Sequence, residues 1–394
     1  MLLDHDPAHA FMPYPGVELP HATHAPLTGL TFAAKDLFDV AGYPTSGGNP
    51  HVLALSGIKT RTAPTVQRLL DAGARLVGKT ITDELAFSMN GINAHFGAPR
   101  NGAAPERISG GSSSGSASAV SNDLVDFALG TDTGGSVRAP ASHCGLIGLR
   151  PTHARISLEA CMDLCPSYDT CGFFARDIDT FERVGAVLLG EDRAPLASPR
   201  LLLPSDGWGL LEADVADAFA PALARVEALF GPFRATEMAP TGFDRHYWAF
   251  RYVQGREAWQ TDGALIEQHG LVLGPGVRER FAWSKAVTDE QFEDAWGARR
   301  EVTAHLTELL GSDGVMVLPT MPDIAPRLDT SEADLEKYRN DSIKLLCLAG
   351  LSGFPQLSLP MVTRHGAPLG LSLLGPAGSD RALIAMARRI LEAA

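Results

Sequence analysis

The sequence predicts an α/β protein: a large mixed, mostly parallel β-sheet with helices on both faces. Three observations carry that expectation. Short apolar runs of strand length alternate with helix-period segments from residue 30 onward. The 394-residue chain is 45% hydrophobic and 20% charged, ordinary for a folded protein with a sizeable core. No internal repeat interrupts the pattern.

Taken in order, residues 1–28 are rich in Pro and His and lack apolar periodicity, so they are expected to form an irregular surface arm. LTFAAK (30–35), ARLVGK (74–79), LVDFALG (124–130) and GLIGLR (145–150) read as buried strands. TAPTVQRLLDAG (62–73) reads as a helix, with Pro64 in its first turn and Val66, Leu69 and Leu70 on one face. From 195 to 310 the texture turns helical, as in VADAFAPALARVEALFG (215–231), and all five tryptophans fall there. Their plain role is to pack that layer onto the sheet; the alternative is that some line an apolar pocket. Strand texture returns at VMVLP (315–319), PQLSLP (355–360) and LGLSLLG (369–375), before an amphipathic C-terminal helix.

Charge narrows the functions. Lys plus Arg is 33 against 46 Asp plus Glu, a formal charge of −13. A field of that sign repels phosphate backbones and anionic lipid, so neither nucleic acid nor a membrane surface is expected as a partner. Five scattered cysteines point to reduced thiols. The N-terminus carries no basic and apolar leader pattern, and no segment offers ~18 uninterrupted apolar residues. The cytoplasm is the expected compartment.

Two stretches invite chemistry. SGGSSSGSASAVS (109–121) has the composition of a linker, yet it sits between core strands and runs into an Ala/Val-rich helical pattern. Read as a phosphate-cradling loop, it lacks the Lys-Ser/Thr ending of a P-loop. GTDTGGSVRAPASHCG (130–145) follows a strand directly. Gly134 and Gly135 let the backbone aim N–H groups at one point, and Ser136 would lie near a helix start, as a nucleophile or simply as an N-cap. Asp132 and Arg138 can pair across this turn. A serine nucleophile needs a base. His143 lies in the same helical segment, poorly placed to reach back. Lys35 and Lys79 both end strand-like runs, where burial could keep an amine neutral. Spacing alone does not choose between them. Cys161, Cys165 and Cys171 do not match a zinc-knuckle spacing, and no metal is expected.

The set Lys35, GGSSSGS (110–116) and GTDTGGSVRAPA (130–141) resembles the amidase signature family of Ser–Ser–Lys hydrolases. TFAAKDLFDV, INAHFGAPRN and GGSSSGSA are most similar to the plant indole-3-acetamide hydrolases. The resemblance implies one amidase domain over 1–394, with a catalytic core at 29–190, a variable specificity region at 195–310 and sheet completion at 311–394. It implies Ser136 as nucleophile, Ser112 as bridging serine behind a cis Gly111–Ser112 peptide, and Lys35 as general base. The amides of Thr133, Gly134, Gly135 and Ser136 would form an oxyanion hole, with Ser113, Thr131, Asp132 and Arg138 as hydrogen-bonding support. Lys79 would then be structural. No cofactor is implied. The expected reaction is hydrolysis of primary carboxamides, with aryl or arylalkyl acetamides favoured and Trp248, Phe250, Tyr252 and Trp259 as pocket candidates. The alternative is an amidotransferase subunit acting on charged tRNA with a partner protein. Only a small-molecule amide is expected as partner, besides a possible second copy of the chain.

Overall fold

The strand expected at 30–35 forms as β1, Thr31–Lys35, and its alternation sets the layout of the molecule. Phe32 and Ala34 join one buried apolar cluster and Ala33 joins another. The computed structural model describes residues 1–194, 196 and 198–393. Nine further strands follow in the described residues: β2 (Arg75–Thr80), β3 (Phe127–Thr131), β4 (Ile147–Arg150), β5 (Cys171–Ala175), β6 (Arg200–Pro204), β7 (Arg234–Thr236), β8 (Gly314–Pro319), β9 (Gln356–Arg364) and β10 (Ala367–Leu374). They make one sheet in the order β2-β1-β3-β5-β4-β9-β10-β8-β6-β7.

The sheet is mixed, as expected, but parallel pairing is not the majority. β1–β2, β1–β3, β6–β7 and β6–β8 are parallel, while β3–β5, β5–β4, β4–β9, β9–β10 and β10–β8 are antiparallel. Crossovers make the flanks parallel. The centre reverses because β9 and β10 are joined by a two-residue turn, His365-Gly366, with both residues at positive φ.

Helices cover both faces. Helices Ser114–Ser121 and Arg138–Cys144 set the small side chains of Ala117 and Ala141 in one cluster with Ala33, Ala128 and Phe174. On the other side, helices Pro64–Asp71 and Ile178–Leu189 bury Val66, Leu69, Phe181 and Val184 in the cluster that holds Phe32, Leu129 and Phe173. The single helix expected at 215–231 is two, Ala213–Ala218 and Ala220–Phe230. Pro221 has no N–H to continue the first of them. β5 lay in no expected strand, and β6 and β7 come from the stretch read as helical.

The N-terminal arm is irregular but tied down. Met12 N–H donates to Lys79 C=O at 2.9 Å and Ile81 N–H donates to Ala10 C=O at 2.9 Å, so the arm runs along the open edge of β2. Ala8, Ala10 and Phe11 of the arm are themselves buried.

Candidate active site

Lys35, the last residue of β1, is fully buried at the carboxyl end of its strand. Its Nζ lies 2.7 Å from Ser112 Oγ and 2.8 Å from Thr131 Oγ1. Both neighbours are hydroxyls, and no carboxylate forms an ion pair with it among the described residues. Burial lowers its pKa to about 8, against the opposing field of Asp83. Lys79 shows the contrast. Its Nζ meets Asp36 at 2.6 Å, Pro44 C=O at 2.7 Å and Thr45 Oγ1 at 2.8 Å, a full complement for an ammonium. Burial lowers that pKa too, with Asp36 pulling the other way.

Ser112 sits in the Gly/Ser loop, and the Gly111–Ser112 peptide is cis. The loop is clamped from below. Thr82 Oγ1 and Asp83 N–H both donate to Ser112 C=O at 3.1 Å, and Gly111 N–H donates to Met89 C=O at 2.8 Å. A Cβ on Gly111 would lie 2.3 Å from Asp83 Oδ2, so only glycine fits there. Ser113 joins this loop to the glycine turn. Its N–H donates to Ser136 C=O at 3.3 Å, and its Oγ donates to Thr131 C=O and accepts from Thr131 N–H, each at 3.2 Å. The two serine loops are thereby held side by side.

The turn itself is organised by Asp132. Its carboxylate accepts N–H bonds from Gly135 (2.9 Å), Val137 (3.1 Å) and Arg138 (3.2 Å), and ion pairs with Arg138 and Arg150. Burial alone would raise its pKa; the two guanidiniums outweigh that and hold it well below the usual carboxylate range. The short helix Arg138–Cys144 is capped by this carboxylate, not by Ser136. One expectation is corrected here. The Gly135 amide is spent on Asp132, so the amides free to face an oxyanion are those of Thr133, Gly134 and Ser136, which donate to no protein acceptor among the described residues.

Ser136 is 6% exposed and lines a narrow pocket with Phe87, Met89, Gly134, Phe250, Gln254 and Arg339. Ser88 lines both that pocket and a neighbouring cleft of about 660 Å³. Of the four aromatic candidates only Phe250 reaches the serine's pocket, where its ring would meet a Cβ on Gly134 at 2.6 Å. Trp248 stacks on Tyr252 and Tyr252 on Trp283, away from Ser136, and Trp259 of the same helix, Phe243–His269, packs over Gly263. The reason is helical phase: Phe250 and Gln254, four apart, share the inward face, and 248 and 252 do not.

Sequence reasoning missed Asp83, Arg150, Gln254 and Arg339. Asp83 is buried, with one carboxylate oxygen held by Gly91 N–H at 3.0 Å and the other unpartnered. Burial raises its pKa. A charged pair inside DELA was the available signal. His143 does not approach Ser136; its Nε2 lies 2.9 Å from Tyr338 Oη and its ring supports Gly110. Burial pushes its pKa down to about 3, and that of His246 to about 4. Between those values and the ordinary ~6.5 the unfolded chain binds protons that the fold excludes, so stability falls as pH drops below about 6.5. The unfolding free energy from urea titrations is expected to drop between pH 7 and 4.5, by up to about 1.4 kcal/mol per pH unit for each histidine. His143→Gln should flatten that slope; an unchanged slope in this variant would refute the assignment.

A family model, Amidase, matches residues 16–209. Amidase 1 of Arabidopsis thaliana is 39% identical, with 91% of this chain and 92% of that protein covered. The chain belongs to the amidase family. A solved amidase structure superposes with a TM-score of 0.84 at 33% identity, covering 94% of this chain and 85% of the other. The amidase is also 35% identical to the chloroplastic Outer envelope protein 64 of Arabidopsis thaliana, covering 95% of this chain and 68% of that protein. No helix among the described residues is long and apolar enough to cross a membrane.

Proposed function

We propose that this amidase hydrolyses primary carboxamides, aryl or arylalkyl acetamides such as indole-3-acetamide among them, to a carboxylic acid and ammonia through an acyl-enzyme on Ser136. The observation that carries the reading is the Lys35 amine, buried against Ser112 and Thr131 hydroxyls with no carboxylate partner among the described residues. An amine in that setting holds a lone pair at accessible pH.

Neutral Lys35 takes the Ser112 proton while Ser112 takes the proton of Ser136, whose Oγ attacks the amide carbon. The oxyanion forms against the amides of Thr133, Gly134 and Ser136. The relayed proton returns to the nitrogen, the C–N bond breaks and ammonia leaves. Water then attacks the ester, delivers its proton along the same relay, and frees the acid and Ser136. Three side chains and a turn suffice, without a cofactor. Phe87 and Phe250 beside Ser136 support a flat apolar acyl group. We take the chain to act alone on its small substrate in the cytoplasm.

The test is ammonia release by the purified chain across aliphatic and aromatic amides at varied pH. Because the base works deprotonated, kcat/KM is expected to climb as pH rises through about 8 and then level. A Lys35→Met variant should lose that limb together with roughly 10²- to 10⁴-fold in rate. A flat profile between pH 6.5 and 9, or unimpaired Lys35→Met, would overturn the relay.

A further inference from the structure

The pocket that holds Ser136 is walled by charge as well as by rings. Arg339 lines it at 3% exposure. Its Nη1 lies 3.3 Å from Glu336 Oε1, and its Nε has no acceptor among the described residues. Glu336 is not its own, because the other oxygen of that carboxylate lies 3.5 Å from Arg280 Nη1. A third guanidinium, Arg251, also lines the outer cleft and meets Tyr247 Oη at 2.8 Å, Asn340 Oδ1 at 3.5 Å and the Trp283 ring at 4.9 Å, with no carboxylate among the described residues. Of these three guanidiniums, each no more than 8% exposed, Arg280 and Arg339 therefore share one contacting carboxylate, itself partly exposed, and Arg251 touches none among the described residues. Asp83 adds a favourable field at Arg280 without touching it.

Buried cations without a matched anion are costly, and a chain with net charge −13 had many acids with which to neutralise them. Arg339 lines the same cavity as Ser136, and its Nε–H is left without an acceptor among the described residues. Gln254, whose Oε1 also lacks a partner, stands on the same wall and can rotate its amide to add a donor. A planar guanidinium with free N–H groups matches a carboxylate in two parallel bonds.

We propose that the substrate carries a carboxylate at the far end of its acyl group, held by Arg339, so that the preferred amides are monoamides of dicarboxylic acids. This rests on the amidohydrolase reading above and specifies its substrate class. An aromatic spacer between the two ends is compatible with Phe87 and Phe250.

The experiment compares two isosteric pairs, succinamate with succinamide and 4-carbamoylbenzoate with terephthalamide, by ammonia release from the full chain. In at least one pair the charged member is expected to have a kcat/KM roughly 10- to 100-fold above the neutral one, per amide group. Arg339→Gln should bring that ratio near one, chiefly through KM. Should this variant fail to fold, inhibition of the native enzyme decides instead: succinate or terephthalate should compete with substrate at least about tenfold more tightly than the corresponding diamides, and equal competition overturns the subsite. Equal turnover of both members in both pairs, or a ratio that survives in folded Arg339→Gln, overturns the carboxylate subsite and leaves the amidohydrolase intact. Absence of ammonia from all four, and from neutral aryl acetamides, overturns both.

Discussion

Ser136→Ala is expected to cut ammonia release by about 10⁴- to 10⁶-fold, the size of loss seen when a nucleophile is deleted from a side-chain relay. The change removes one oxygen from a 6% exposed side chain and leaves the loop contacts to its backbone in place, so thermal unfolding should move by only a few degrees. Labelling by a fluorophosphonate probe should vanish with activity. Because Ser136 C=O still accepts from Ser113 N–H, the variant remains a fair mimic of the resting site. Turnover within tenfold of the native enzyme would remove Ser136 from the chemistry and, with it, the whole relay.

Asp132→Asn should have the largest effect on stability. The carboxylate is fully buried and gathers three backbone N–H groups and two guanidiniums. The amide keeps the volume but strips the charge, leaving Arg138 and Arg150 interred without their counterion. Breaking a buried pair in this way costs about 3–5 kcal/mol. A guanidinium chloride titration should read that loss as a lower midpoint. Activity should fall as well, since the same carboxylate fixes the turn whose free amides are proposed to receive the oxyanion. A loss below about 1 kcal/mol would mean that Asp132 is not the anchor of the turn.

The parts of the site that were legible in the sequence are those written in local chain. The strand that ends at Lys35, the Gly/Ser loop and the glycine turn each occupy a dozen residues or fewer, and each announces itself by composition. What could not be read is the closure between them. Arg150 enters from β4, eighteen residues beyond Asp132, and Arg339 enters from helix Glu332–Ser352 far down the chain. A buried arginine looks in sequence like any surface arginine, because burial is decided by packing. The same holds for the sheet. Apolar runs located most strands, but the antiparallel centre depends on pairings across more than a hundred residues, such as Leu149 with Leu357. The aromatic candidates divide for a related reason: their spacing said helix, and only the helix's rotation about its own axis sorted Phe250 from Trp248.

An open ten-stranded sheet has two raw margins, and each is an invitation to intermolecular strand addition. Here one margin is closed by the Pro-rich segment that exchanges backbone bonds with residues 79–81, and the other tapers into β7, three residues long with Arg234 solvent-facing. Cutting back the first 28 residues would therefore do more than shorten a tail. It would bare a polymerisation template one strand away from Lys35, so that solubility and the proposed chemistry would depend on the same boundary of the fold.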